Sequence, residues 1–156
     1  MLKAYTKRFG ITDRDQIRKR AVLDTKTDAQ IRNSVLKAVT KMKGTVVMDT
    51  HASLKTNEGY YPGFSLADFE ILKGVTKALI YVDAPNEDIL ERRAKDKTRT
   101  REEEAEWGIN QHRDLNFALM AIDSVRMEAP IFLVMNRNNK LRQAQKRVQE
   151  IIKSMK

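Results

Sequence analysis

Cysteine is absent from the 156 residues, which excludes a disulfide framework and any thiolate metal site. Histidine is scarce: His51 and His112 stand too far apart in sequence to form a local metal-ligand pair. Aromatic residues make up only 6%, and no basic-aromatic alternation occurs, which argues against a base-stacking platform for single-stranded nucleic acid. No apolar run approaches the roughly 18 residues that cross a bilayer. The chain opens on a stretch containing Lys3, Lys7 and Arg8 rather than on the apolar core of a signal peptide, so the expected location is the cytoplasm. Proline is limited to three residues and glycine to six, with no linker, low-complexity tract or repeat. None of the glycines follows an apolar strand and opens a helix, and no Gly-x-x-x-x-Gly-Lys-[Ser/Thr] loop is found.

What is present is a balance of 41% hydrophobic and 33% charged residues, that of a globular chain with a heavily charged surface. Thirty Lys and Arg against 21 Asp and Glu give a net charge of +9. A surplus of that size attracts polyanions, whether nucleotides, nucleic acid or acidic membranes, without choosing among them.

Three short apolar runs rich in β-branched residues predict strands at about 45–49, 78–82 and 131–135. Continuous rather than alternating apolarity is how strands buried on both faces of a parallel sheet read. Helical periodicity fills the intervals. Asp28 is a candidate N-cap ahead of Ile31, Val35, Leu36 and Val39, with Gly44 closing that helix. Pro85-Asn86 starts a second helix carrying Ile89 and Leu90. A third is expected from about Arg101 to Met127, with Trp107, Leu115, Ala118, Leu119 and Ile122 inward. The last is expected from about Leu141 to Met155, with Val148, Ile151 and Ile152 inward. Strands alternating with helices predict an α/β fold with three parallel strands flanked by helices.

Candidate chemistry lies at the strand ends. Asp49-Thr50-His51 closes the first strand, where open α/β sheets bind ligands, so Asp49 is a candidate for orienting Mg²⁺ directly or through water. A turn-capping Asp and a structural histidine are the competing readings. Gly59-Tyr60-Tyr61-Pro62-Gly63 reads as a glycine-bracketed turn that could set a tyrosine against a flat base, or as a plain surface turn. Arg92, Arg93, Lys95, Lys97, Arg99 and Arg101 crowd into ten residues. Phosphoryl transfer needs such cations, and the planar guanidinium suits phosphate. A solvated charged face is the competing reading, supported by Glu102-Glu103-Glu104 directly afterwards. Residues 13–20 form a second basic element, whose alternating signs suggest internal pairing with charge left over at Arg18 to Arg20.

In order and spacing these pieces resemble the archaeal-type adenylate kinase family. The resemblance rests on Arg14-Asp15-x-x-Arg18-Lys19, Asp49-Thr50-His51 with Lys55-Thr56 and Gly59-Tyr60-x-Pro62-Gly63, and Val82-Asp83-Ala84-Pro85. It continues through Ile89-Leu90-x-Arg92-Arg93, Asp96-x-Thr98-Arg99-x-Arg101, Asn116 and Val134-x-Asn136-Arg137. It implies one incomplete nucleoside-monophosphate-kinase-like domain over 1–156, with a short lid at 95–105. The implied reaction is Mg·ATP plus AMP giving two ADP. Arg18 would contact the AMP phosphate, Asp49 would sit near Mg²⁺, and His51, Lys55, Gly59, Tyr60 and Gly63 would border the AMP site. Arg92, Arg99 and Arg101 would be the catalytic lid arginines, and Asn136 and Arg137 would lie beside the ATP adenine. Family members are often oligomeric, so a homo-oligomer is implied as well.

Two departures stand out. The family begins with a strand and a glycine-rich phosphate loop, whereas Met1-Leu2-Lys3-Ala4 matches a point after the family's second strand. Residues preceding Met1 in the native protein are therefore expected, and these 156 residues are expected to turn over weakly or not at all. A gap is expected between the strands at 45–49 and 78–82. Many relatives also carry an arginine shortly after the position of Asn116; here Phe117-Ala118-Leu119 follows, and Arg113 lies one turn earlier. A basic, non-catalytic nucleic-acid-binding protein or a scaffold derived from a kinase fold is the alternative.

Overall fold

The computed structural model describes residues 25–56, 59–96 and 106–155, with side chains from residue 29 onward. Among these residues the order is α1 (Thr25–Thr40), β1 (Ser53–Thr56), β2 (Gly59–Pro62), α2 (Leu66–Leu72), β3 (Leu79–Asp83), α3 (Asn86–Lys95), α4 (Glu106–Met127), β4 (Ile131–Met135) and α5 (Leu141–Ser154). The chain divides into two compact units, Met1–Val75 and Thr76–Lys156. No helix among the described residues is long and apolar enough to cross a membrane.

In the first unit, Ile31 and Leu36 of α1 are buried, as the stripe predicts. The helix begins at Thr25, which puts Asp28 inside its first turn rather than at the N-cap. Gly44 follows the helix end at φ +83°, a left-handed conformation that glycine adopts without a Cβ penalty. α2 starts on a capping box: the Ser65 side chain accepts from the Asp68 N–H, and the Asp68 carboxylate accepts from the Ser65 N–H at 2.7 Å. Phe64 and Phe69 pack with ring centroids 6.1 Å apart.

The segment expected as a strand over 45–49 is not one: residues 45–50 carry no strand and are exposed, Val47 at 66%. β-branched composition favours an extended chain, but a strand exists through its ladder. The described residues offer this segment no ladder partner. The next two strands correct another expectation. Gly59-Tyr60-Tyr61-Pro62 is not a tight turn but strand β2, paired antiparallel with β1 from Ser53↔Pro62 to Thr56↔Gly59.

Gly63 shows why this hairpin needs glycine just past its end. Its N–H donates to the Ala52 carbonyl at 2.7 Å, and a Cβ there would meet the His51 carbonyl oxygen at 1.7 Å. The obstacle is backbone, which cannot rotate away as a side chain can. Gly63→Ala is expected to cost about 2 kcal/mol by forced displacement. Chemical denaturation of the two proteins would measure it, and equal midpoints would contradict it.

In the second unit, β3 and β4 pair in parallel from Leu79↔Ile131 to Asp83↔Met135, so the second expected strand forms one residue later than 78–82 and the third as expected. Parallel neighbours project side chains on the same face, which puts Ile80, Phe132 and Val134 together. They pack with Ala144, Val148 and Ile151 of α5. The opposite face meets α4, where Tyr81 packs on Phe117 with centroids 6.2 Å apart. The buried side of α4 is not the one expected. Ile109, Met120, Asp123 and Met127 are buried, whereas Trp107 is 70% exposed and Ile122 is also exposed. Apolar spacing fits more than one stripe along a long helix, and burial is settled by its neighbours.

Candidate active site at the strand ends

Ladder geometry leaves the C-terminal ends of β3 and β4 side by side, where open parallel sheets bind ligands. Asp83 ends β3. Its carbonyl accepts from the Asn136 N–H at 2.7 Å, extending the ladder by one bond and seating the loop after β4. Its carboxylate takes both edges of the Arg113 guanidinium: Nε donates to Oδ1 at 2.9 Å, and Nη2 donates to Oδ2. Arg113 Nη1 donates to Asn86 Oδ1 at 2.7 Å. Asn86, buried at the start of α3, in turn donates through Nδ2 to Asn110 and to Glu106 at the start of α4.

Burial pushes the Asp83 carboxyl up, but the Arg113 hydrogen bonds and charge and the Ala84 N–H outweigh it, holding the group below the usual carboxylate range. Arg113 is correspondingly raised, first by its hydrogen bond to Asp83. The pair's contribution is thus complete above the ordinary carboxylate range and is lost only as pH falls below it. Burial, then the neighbouring Asp83, push the Tyr81 hydroxyl up as well.

A second set of contacts clamps the loop after β4 onto α3. Arg92 Nε donates to Asn138 Oδ1 at 2.7 Å, and its Nη2 donates to the Asn136 carbonyl at 2.6 Å. Asp88, one turn earlier, accepts from the Asn138 N–H at 2.7 Å, and Glu91 accepts from the Asn138 side chain. Two predicted site residues, Arg92 and Asn136, are therefore in direct contact, and Arg137 lies between the two asparagines Arg92 holds. Below the loop a cavity of about 420 Å³ runs between the strand face and α5, lined by Val82, Val134, Asn136, Leu141, Ala144 and neighbouring residues. Its lining holds no charged side chain.

The other expected residues fall in the first unit or outside the described residues. Lys55 and Tyr60 are cross-strand partners in the hairpin, Gly59 opens β2 at φ +126°, and Gly63 sits against the His51 carbonyl. Asp49 is exposed, and the strand expected to present it is not formed. No group of three or more His, Asp or Glu side chains among the described residues could hold a metal ion. Arg18, Arg99 and Arg101 lie outside the described residues, as do all but the first two residues of the lid expected at 95–105. The residues missed as a site are Asp83, Asn86 and Asn138. The available signal was Asp83 itself, an acid at the end of an apolar run.

Comparison with known proteins supports the same reading. A family model described as AAA domain matches residues 1–110. An adenylate kinase of Pyrobaculum aerophilum is 37% identical over 116 residues, covering 74% of this chain and 57% of that protein. One of Thermoplasma acidophilum is 32% identical over 134 residues, covering 86% of this chain and 70% of the relative. One of Methanocaldococcus jannaschii is 32% identical over 148 residues, covering 94% and 73%. The chain belongs to the archaeal-type adenylate kinase family. The parallel pair β3–β4 with its flanking helices is thus part of a nucleoside-monophosphate-kinase-like α/β fold. Within the adenylate kinase frame, the Asp83–Arg113 pair and the Arg92–Asn138 clamp both stand where the strands end.

Proposed function

We propose that this chain carries acceptor-side and lid elements of an adenylate kinase, which passes the terminal phosphoryl group of ATP to AMP and yields two ADP. The observation that carries the reading is the anchored Arg92 where two parallel strands end, in a chain of this family. Phosphoryl transfer asks the protein mainly for positioning and for cations already oriented where charge gathers. A guanidinium held by an amide and a backbone carbonyl loses little freedom when an anion arrives.

The remaining roles follow the family. Arg92, Arg99 and Arg101 hold transferring phosphates, Arg18 the AMP phosphate, and Asn136 and Arg137 the base of ATP. His51, Lys55, Gly59, Tyr60 and Gly63 border AMP. Mg²⁺ enters with ATP; a single carboxylate, Asp49, suits an ion whose other ligands are phosphates and water. When bound it neutralises phosphate charge.

The test is ADP formation from ATP and AMP together with calorimetric ADP binding. Because these 156 residues include no glycine-rich loop to cradle the ATP phosphates, turnover should be near background while ADP still binds. Robust turnover would contradict the first expectation, and absence of ADP binding would overturn the functional reading. The +9 charge motivates a second reading, a nucleic-acid-binding protein, which requires affinity that falls steeply with salt. Salt-insensitive, weak RNA binding would eliminate it.

A further inference from the structure

We infer that Arg113 is a phosphate-contacting residue of this site, held in position by Asp83 and Asn86. The inference rests on the nucleotide reading above and adds to it a residue outside the lid and loop positions already assigned.

A guanidinium has five N–H donors, and three of those on Arg113 are engaged, two by Asp83 and one by Asn86. The remaining two, on Nη1 and Nη2, have no partner among the described residues. The side chain is 28% exposed, so it is seated but still open to solvent. It sits at the strand ends rather than within the core, and the same carboxylate-bearing residue seats the Asn136 loop through its carbonyl. A structural tie between α4 and β3 uses the three engaged N–H groups; the two that remain are what an arriving anion can take. For a phosphate the guanidinium supplies a planar donor whose orientation is set before the ligand arrives. Arg92, by contrast, already directs two donors at the chain's own Asn136 and Asn138.

The experiment compares binding of ADP and of adenosine to the full 156-residue chain and to three variants. Arg113→Met is expected to weaken ADP binding by roughly tenfold to a hundredfold, the worth of a charge-assisted hydrogen bond, and to leave adenosine binding unchanged. Arg113→Lys should recover part of the ADP affinity, because the charge remains while the fork is lost. Asp83→Asn keeps one acceptor for the fork and loses the other, so it should lower ADP affinity less than Arg113→Met does and leave adenosine binding unchanged. A structural tie would show the opposite pattern: Arg113→Met and Asp83→Asn would lower ADP and adenosine affinity in parallel. That result, or unchanged ADP affinity in Arg113→Met, overturns the inference while leaving the nucleotide reading intact. A wild-type chain that binds no ADP overturns both.

Discussion

Asp68→Ala should destabilise the first unit by about 2–4 kcal/mol. The carboxylate is fully buried; its Oδ2 accepts from the Ser65 N–H and the Ser65 hydroxyl, each at 2.7 Å, and lies 2.8 Å from Arg32 Nε in an ion pair. These tie the start of α2 to the middle of α1. Truncation removes half of the capping box, worth about 1 kcal/mol. It also removes the carboxylate that faces Arg32, whose side chain is 18% exposed. Leaving the buried donors without this acceptor costs about 1–3 kcal/mol more, a sizeable part of the roughly 5–15 kcal/mol that holds an ordinary domain together. Hydrogen exchange would locate the effect. Amide protection should collapse in α1, the hairpin and α2, and a protein whose protection there is unchanged would contradict the expectation. On the proposed reading the loss extends to AMP binding, because the hairpin carries Lys55, Gly59 and Tyr60, with Gly63 just beyond it.

That buried pair also marks where reading the chain in one dimension stops. β3 and β4 were legible because five consecutive apolar residues between helices leave few alternatives to a strand buried on both faces. Thr45-Val46-Val47-Met48 carries the same signal and forms no strand, since composition can request a ladder but cannot supply its other side. The hairpin at 53–62 was obscured by its glycines, which mark turns and strand ends alike. Ser65-x-x-Asp68 was a readable capping box before an apolar run and was overlooked. At the candidate site, the arginine block and the Val-x-Asn motif were legible as residue types. The partner of each arginine was not: Arg113 meets an acid 30 residues away, and Arg92 an asparagine 46 away. Nothing local encodes such pairs, which arise only once β3 and β4 lie side by side.

Asp123→Asn should stabilise the protein at pH 7, and the gain should vanish on acidification. Asp123 is 5% exposed on the buried side of α4, shared with Met120 and Met127, and its Oδ2 has no hydrogen-bond partner among the described residues. Burial pushes its carboxyl up to about 6, since nothing present rewards the charged form. The sign follows from linkage. Between about pH 4, where the unfolded group ionises, and pH 6, the unfolded state releases a proton that the folded state retains, so stability falls as pH rises. Above pH 6 the penalty is complete. A rise of about two units corresponds to about 3 kcal/mol, an upper bound because the buried side chain can relax toward water. The amide that replaces the carboxyl carries no charge but still lacks a partner, which takes back part of the gain. The net expectation is about 1–2 kcal/mol at pH 7, a rise of several degrees in Tm, shrinking as pH falls and reversing near pH 4, where only the cost of the amide is left. Thermal melts of both proteins across pH 4.5–7 decide it, a window above the range in which the Asp83–Arg113 pair weakens. A gain independent of pH would show that the buried charge is not its source, and a loss at pH 7 would show that a cation balances Asp123 in the folded protein. The prediction bears on the proposed site through α4, because the helix that buries an unpaired carboxyl at one end positions Arg113 at the other. If the charge strains α4, relieving it should steady the strand-end arginine as well, and hydrogen exchange along residues 106–127 should slow in the variant at neutral pH.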